Sequence, residues 1–379
     1  MTRLFHRPAA RRVRLPAAAL LLSFTLALPV SAQTGAVLDS VRAFCQLQLD
    51  DQPMPGFSIA VVVHDQLVWS EGFGVADLES GDLATGSTVY RIGSVSKPVV
   101  GTALMQLWEQ GKVDLDADIR TYIPTWPLKE KGTITLRDLM THTSGIRHYE
   151  GDEFLSMIRY EDLEGPMEIF KDDPLLFEPG TQYSYSTYGF NLVANVVENV
   201  GGMPIGEYMS RHVYEPAWMN STGLEDQLEI QQGRAGWYER DRRGNLVNAP
   251  YVDLSNKYAG GGITSTVEDL CRLHIAYARG KLLRPATIDS MYTNQRLKDG
   301  SLGGYGLSWR VREVELPGGG EVRQVSHSGG SVGANTLFIR YPDQGFAVAV
   351  VANHRASLGR IVDGVTRYFY EAGAFEEQR

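Results

Sequence analysis

Apolar residues alternate with others over residues 57 to 63, where Phe57, Ile59, Val61 and Val63 fall on one side, and the pattern resumes past His64-Asp65-Gln66-Leu67 in Val68-Trp69-Ser70. Alternation of period two interrupted by a short polar turn predicts a strand hairpin. Residues 305 to 316, 321 to 327, 334 to 341 and 345 to 353 predict four further strands. Pro317-Gly318-Gly319-Gly320 and Pro342-Asp343-Gln344-Gly345 between them are turn chemistry, and links this short make the neighbours antiparallel. In the last strand Phe346, Val348 and Val350 face one way, and Ala347, Ala349 and Val351 the other. A strand apolar on both faces needs a layer on each. A C-terminal helix with Leu358, Ile361, Val362, Val365 and Phe369 on one stripe supplies one cover, and an N-terminal helix with Val37, Val41 and Phe44 another. Residues 101 to 254 lack long alternating strands and read as a mainly helical domain inserted between the first and last strands. The expected fold is of the α/β class, α+β type. An antiparallel sheet flanked by N- and C-terminal helices comes from residues 33–100 plus 255–379, with the helical insertion at 101–254. The seam between two such lobes is a common place for a cleft.

Residues 1–32 stand apart from this pattern. Arg3, Arg7, Arg11, Arg12 and Arg14 precede an apolar run from Ala17 to Val30, and Val30-Ser31-Ala32 has the small residues of a cleavage site. This predicts a secretory signal, a periplasmic or secreted location, and no membrane insertion after cleavage, the run being short for a span. Removing the segment takes five positive charges and no negative ones, so the formal charge of -9 becomes -14. That acidity argues against nucleic acid or anionic membrane as a partner. The 347 residues that remain suit about two domains. Cys45 and Cys271 are the only cysteines, which excludes a disulfide scaffold and a cysteine metal cluster. One disulfide and two separate buried thiols both fit. No metal or cofactor is expected.

Three short elements carry candidate chemistry. Ser94-Val95-Ser96-Lys97 follows the extended Val89-Tyr90-Arg91-Ile92 and the turn residue Gly93, and opens a helix with the stripe Val100, Leu104 and Trp108. Residues i and i+3 share a helix face, so the lysine amine can reach the serine hydroxyl, and first-turn amides point to where an oxyanion forms. Pro98 costs little in that turn. Tyr185, in Tyr183-Ser184-Tyr185-Ser186-Thr187 just ahead of a helix, can carry protons if nearby cations lower its pKa of ~10. His327-Ser328-Gly329-Gly330 ends a strand, and a backbone stripped of side chains can approach a substrate closely. Each element also has a structural reading: a helix cap with a solvated lysine, a packed tyrosine, a glycine turn.

The order of the three resembles the serine β-lactamase-related superfamily, which also holds penicillin-binding D,D-peptidases and several esterases. Further phrases of that family stand in sequence: Ile134-Thr135-Leu136-Arg137-Asp138-Leu139-Met140-Thr141-His142-Thr143-Ser144-Gly145, Pro179-Gly180, and Ala259-Gly260-Gly261-Gly262-Ile263-Thr264-Ser265-Thr266. Asn248-Ala249-Pro250-Tyr251-Val252-Asp253 and Tyr185-Ser186-Thr187-Tyr188-Gly189-Phe190 look like its mitochondrial β-lactamase-like subgroup and bacterial counterparts. The resemblance implies a β-lactamase/transpeptidase-like fold and a serine hydrolase with Ser94 as nucleophile and Lys97 and Tyr185 as its proton partners. Thr187, His327, Ser328, Gly329 and Gly330 then bind substrate, the amides of Ser94 and Gly330 forming the oxyanion hole. Thr187 stands where many members have asparagine, and His327 where they have the lysine of KTG. Histidine is mostly neutral at pH 7, so a β-lactam carboxylate loses its standing cation. The expected substrate is a small molecule or peptide with an amide or ester bond. A peptidase is the expected activity, with an esterase or weak β-lactamase and, in another class, a non-catalytic binding or filament-forming scaffold as the alternatives, and with homo-oligomers open.

Gly329-Gly330-Ser331-Val332-Gly333 also matches the GxSxG elbow, with His354 and Asp343 or Asp363 downstream, but that elbow needs a helix after its serine and here a strand follows. His142 has no second histidine at ligand spacing, so it is expected to hold the Thr-His-Thr-Ser-Gly turn.

Overall fold

A computed structural model describes residues 30–52, 54–316 and 320–376. The expected signal lies almost wholly outside these residues, as does Pro317-Gly318-Gly319 of one predicted turn. The chain begins with helix α1 (Val30–Asp51), the hairpin strands β1 (Gly56–Val63) and β2 (Gln66–Gly74), and the short strand β3 (Tyr90–Arg91). Helices α2 (Ser96–Glu109), α3 (Leu136–Thr141), α4 (Tyr188–Gly201), α5 (Ile205–Met209) and α6 (Glu215–Ala217) follow. Next come strands β4 (Gly223–Leu224), β5 (Tyr238–Arg240) and β6 (Leu246–Asn248), helix α7 (Tyr258–Gly261), strand β7 (Ile263–Ser265), and helices α8 (Val267–Ala278) and α9 (Pro285–Met291). Strands β8 (Arg310–Glu315), β9 (Glu321–Ser331), β10 (Ala334–Tyr341) and β11 (Phe346–Ala352) and helix α10 (Gly359–Glu371) complete it.

Six strands form one sheet in the order β2-β1-β11-β10-β9-β8, every pair antiparallel. The first hairpin turns at His64 and Asp65, both with positive φ, as a two-residue turn between twisted strands requires. Because β1 pairs with β11, Phe57 opposite Ala352, the N-terminal hairpin and the C-terminal strands close one sheet, and the helices and short strands from β3 to α9 are carried outside it.

The two terminal helices share one face of the sheet instead of taking one each. Phe57, Ile59, Val61, Val348 and Val350 pack there against Val41 of α1 and Ile361, Val362 and Val365 of α10. On the other face the small Ala60, Ala347 and Ala349 let α8 lie close, and Leu270 and Leu273 continue into Val99, Val100 and Leu104 of α2 and Val193 and Val196 of α4. Each large aliphatic side chain fully buried there contributes about 1.5–3 kcal/mol, and this second face of the sheet shares one continuous core with the helices packed on it. Residue 100, the expected boundary of the insertion, falls inside α2. Cys45 and Cys271 are buried free thiols in the two different cores, which settles their pairing against a disulfide.

Two strand ends differ from expectation. Strand β8 starts at Arg310 and not at 305, because Gly304 and Ser308 take positive φ and turn the chain just before it. Strand β9 runs four residues past His327, to Ser331, held by β10 through Ser328–Leu337 and Gly330–Asn335. Those extra residues reach the site. Among the described residues no helix is long and apolar enough to cross a membrane.

Candidate active site

Ser94 sits in a single 3-10 turn, Gly93–Val95, between β3 and α2. Two glycines allow that turn to touch β9. Gly93 has φ +51, and a Cβ there would stand 2.7 Å from the Gly330 carbonyl oxygen. A Cβ on Gly329 would come within 2.0 Å of the Ile92 carbonyl oxygen and 3.1 Å of the Ser94 nitrogen. With no side chain between them, the backbones of residues 92–94 and 329–330 lie in contact beside the serine. Ser96 fixes the turn from below, donating to the Gly93 carbonyl at 2.7 Å and accepting the Ile263 N–H of β7 at 3.2 Å.

Lys97 is completely buried, and its Nζ lies 3.1 Å from Ser94 Oγ, 3.1 Å from Thr187 Oγ1 and 2.5 Å from the Gly260 carbonyl oxygen. No carboxylate is among these partners, and burial pushes its pKa well below the ordinary lysine value. A Cβ on Gly260 would meet Thr187 Cγ2 at 2.4 Å, so only glycine brings that carbonyl to the amine.

Tyr185 shares a hydrogen bond with Ser94, and its ring centre is 4.8 Å from Lys97 Nζ. The anticipated lowering of its pKa is reversed: burial, outweighing the Ser94 bond, raises it. Tyr185 is therefore a neutral phenol, a donor and not a standing base. His142 holds it, with a different grip from the expected one. At the end of α3 its backbone is left-handed, φ 61, its Nδ1 accepts the Ser186 N–H at 3.2 Å, and its ring packs 4.2 Å from that of Tyr185. Thr187 donates its own N–H to His148 Nδ1 at 3.2 Å.

His327 is 2% exposed. Its Nδ1 is 2.6 Å from the Ser328 carbonyl oxygen, which can only accept, so Nδ1 carries the proton and Nε2 accepts the Tyr305 hydroxyl at 2.6 Å. Burial first, then Lys97, lowers its pKa to about 3. Both ring nitrogens are engaged within the protein, and the ring is uncharged at neutral pH. Ser328 and Gly330, on the opposite pleat, are exposed.

A cavity of about 100 Å³ opens at Ser94, lined by Thr187, Gly260, Gly261, Gly330, Ser331, His148, Tyr149, Phe154 and Lys257. The structure thus brings Ser94, Lys97, Tyr185, Thr187 and Gly330 together, with Gly329 as the contact and His327 behind it. Sequence reading missed His148, Tyr149, Lys257 and the Gly260 carbonyl. The Ala259-Gly260-Gly261-Gly262 phrase was the available signal for the last, and Lys257 stands three residues before it.

The family described as Beta-lactamase matches residues 41–366. The chain is 31% identical to the mitochondrial serine beta-lactamase-like protein LACTB of Homo sapiens, over 84% of this chain and 75% of that protein. It is 31% identical to the putative penicillin-binding protein PbpX of Bacillus subtilis (strain 168), over 68% of this chain and 62% of that protein. The octameric penicillin-binding protein homologue from Pyrococcus abyssi has a similar fold, with a TM-score of 0.76 at 23% identity over 90% of this chain and 78% of that one. The expected periplasmic or secreted location is corrected by these relatives, since the similar human, mouse and cattle proteins are mitochondrial. The physical reason is that an arginine-rich N-terminal stretch free of acidic residues also has the composition of a mitochondrial transit peptide.

Proposed function

This chain belongs to the beta-lactamase family and is a serine hydrolase, and from that premise we propose that it cleaves an amide or ester, as a peptidase, through an acyl-enzyme on Ser94. The observation that carries the reading is the Lys97 amine 3.1 Å from Ser94 Oγ with no carboxylate beside it. A neutral amine has two N–H groups and one lone pair. The Gly260 carbonyl and Thr187 hydroxyl take the two N–H groups, which leaves the lone pair for the Ser94 proton.

Ser94 Oγ then bonds to the substrate carbonyl carbon as its proton passes to Lys97. The resulting oxyanion faces the amides of Ser94 and Gly330, where one donor is typically worth about 3–4 kcal/mol. Tyr185 gives its proton to the leaving nitrogen or oxygen as that bond breaks, and is reprotonated from Lys97. The acyl ester on Ser94 is hydrolysed by water through the same groups in reverse. The uncharged, internally bonded His327 offers no cation to a β-lactam carboxylate, which favours peptides over antibiotics as substrates. A homo-oligomer belongs to this reading too, supported by the octameric relative.

Incubation with a fluorophosphonate followed by peptide mapping tests the core of it. The expected label is on Ser94 and is absent from Ser94→Ala. A label elsewhere, or one indifferent to that substitution, overturns the reading.

A further inference from the structure

Of the eight lysines in the chain two are buried, and the chemistry at Ser94 uses only Lys97. The other, Lys257, is 2% exposed and closes the 3-10 turn Ser255–Lys257 that leads into α7. Its Nζ donates to the Phe154 carbonyl at 2.6 Å and lies 5.1 and 4.8 Å from the ring centres of Tyr149 and Phe154. An ammonium has three donors, and two of these make no hydrogen bond with the described residues. The neighbouring carboxylates are occupied: Glu225 is bound to Arg91, and Asp253 accepts the Ser255 N–H. Burial, with Arg91 adding to it and Glu225 and Asp253 opposing, brings the Lys257 pKa down to about 7.

A cation walled by aromatic rings, with spare donors, in the cavity that holds the nucleophile is chemistry suited to an anion. A bound carboxylate would restore the charge that burial disfavours. The position within the cavity identifies which half of the substrate carries it. Tyr185 serves the leaving group and does not line this cavity, nor does His327. The cavity instead includes Ser94, Thr187, Gly260 and Lys257, apart from the leaving-group donor, so the acyl half of the substrate is the part left to fill it.

We infer that Lys257 is a specificity-determining residue that binds a carboxylate on the acyl half of the substrate, so that the bond cleaved is the amide or ester of an acidic acyl group. This rests on acyl transfer at Ser94. Two fluorophosphonates test it, one whose alkyl chain ends in a carboxylate and the other its methyl ester, because the phosphonyl chain occupies the acyl side. The expected result is labelling of Ser94 by the carboxylate probe about tenfold or more faster than by the ester. With a net charge of -9 the protein as a whole repels that probe, so a preference for it is local. Lys257→Met should bring the ratio of rates to about one, and Lys257→Arg should keep most of it, as expected when charge is what matters. A ratio near one in the wild-type protein overturns the inference, and so does a ratio unchanged in Lys257→Met. If Lys257→Met does not fold, the wild-type ratio decides alone. Failure of both probes to label Ser94 overturns acyl transfer itself, whereas equal labelling by both leaves acyl transfer standing and removes only the role of Lys257.

Discussion

At Ser94 the decisive quantity is the protonation state of one amine. Burial alone lowers the pKa of Lys97, so its lone pair becomes available below the pH at which a solvated lysine loses its proton. The sign for activity follows. As pH falls through the lowered pKa, Lys97 gains a proton and the rate falls. Lys97→Met should lower kcat/KM by about 10²–10⁴-fold, the usual contribution of a positioned general base, and remove that acidic limb from the pH profile. A residual rate within tenfold, or an unchanged limb, contradicts the assignment. The same burial acts on stability. Between the lowered folded value and the ordinary unfolded value of ~10.4 the unfolded chain binds more protons, so stability falls as pH drops through that window. Lys97→Met should flatten this part of a denaturation series against pH.

Ser94 is placed by contacts between elements and not by α2 alone. The turn Gly93–Val95 meets β9 through Gly93 and Gly329, and residues 328–331 of β9 are the part that sequence patterning had ended too early. Alternation of apolar side chains stops where glycines begin, so a strand made of Ser328-Gly329-Gly330 has no pattern to read. Gly329→Ala would drive a methyl group into the Ile92 carbonyl, 2.0 Å away, and push the strand off the serine. A misplacement of about 1 Å costs on the order of 10²-fold, so kcat/KM and the rate of Ser94 labelling should both drop by at least that much. Wild-type labelling kinetics in the variant would remove this account of the site. The capping box of Thr135 and Asp138 starts α3, and the left-handed His142 ends it against Tyr185. Ile134-Thr135-Leu136-Arg137-Asp138 was legible as a phrase, whereas the contact of its histidine with a tyrosine loop 43 residues on required the fold.

Across the molecule, the buried pair Arg91–Glu225 ties the site to the rest. Arg91 Nε and Nη2 reach the Glu225 carboxylate at 2.7–3.0 Å, Nη1 reaches the Val332 carbonyl at 2.9 Å, and both side chains are almost wholly excluded from water. The pair joins β3, just ahead of Ser94, to the loop that follows β4 and to the β9–β10 turn. Removing one charge leaves the other buried without a partner. Glu225→Gln should therefore cost about 3–5 kcal/mol in denaturant unfolding, more than replacing both residues with apolar ones of similar size. A cost under about 1 kcal/mol would mean the pair is not buried as described. Nothing in local spacing marks this pair, since its members are 134 residues apart.

Periodicity and turn chemistry determined the antiparallel sheet, its hairpins and both terminal helices, because these follow from which side chains a single element must bury. The short Ser94-Val95-Ser96-Lys97 spacing likewise determined that an amine meets a hydroxyl, since one helical turn brings them together whatever surrounds it. Only the tertiary structure decided that both terminal helices cover one face and that Cys45 and Cys271 lie in separate cores. It alone decided the protonation states: Lys97 lowered, Tyr185 raised, and His327 uncharged against Tyr305. Those states depend on how much water the packed chain excludes and on which distant carbonyl or ring is brought alongside, and neither quantity is local to any stretch of sequence.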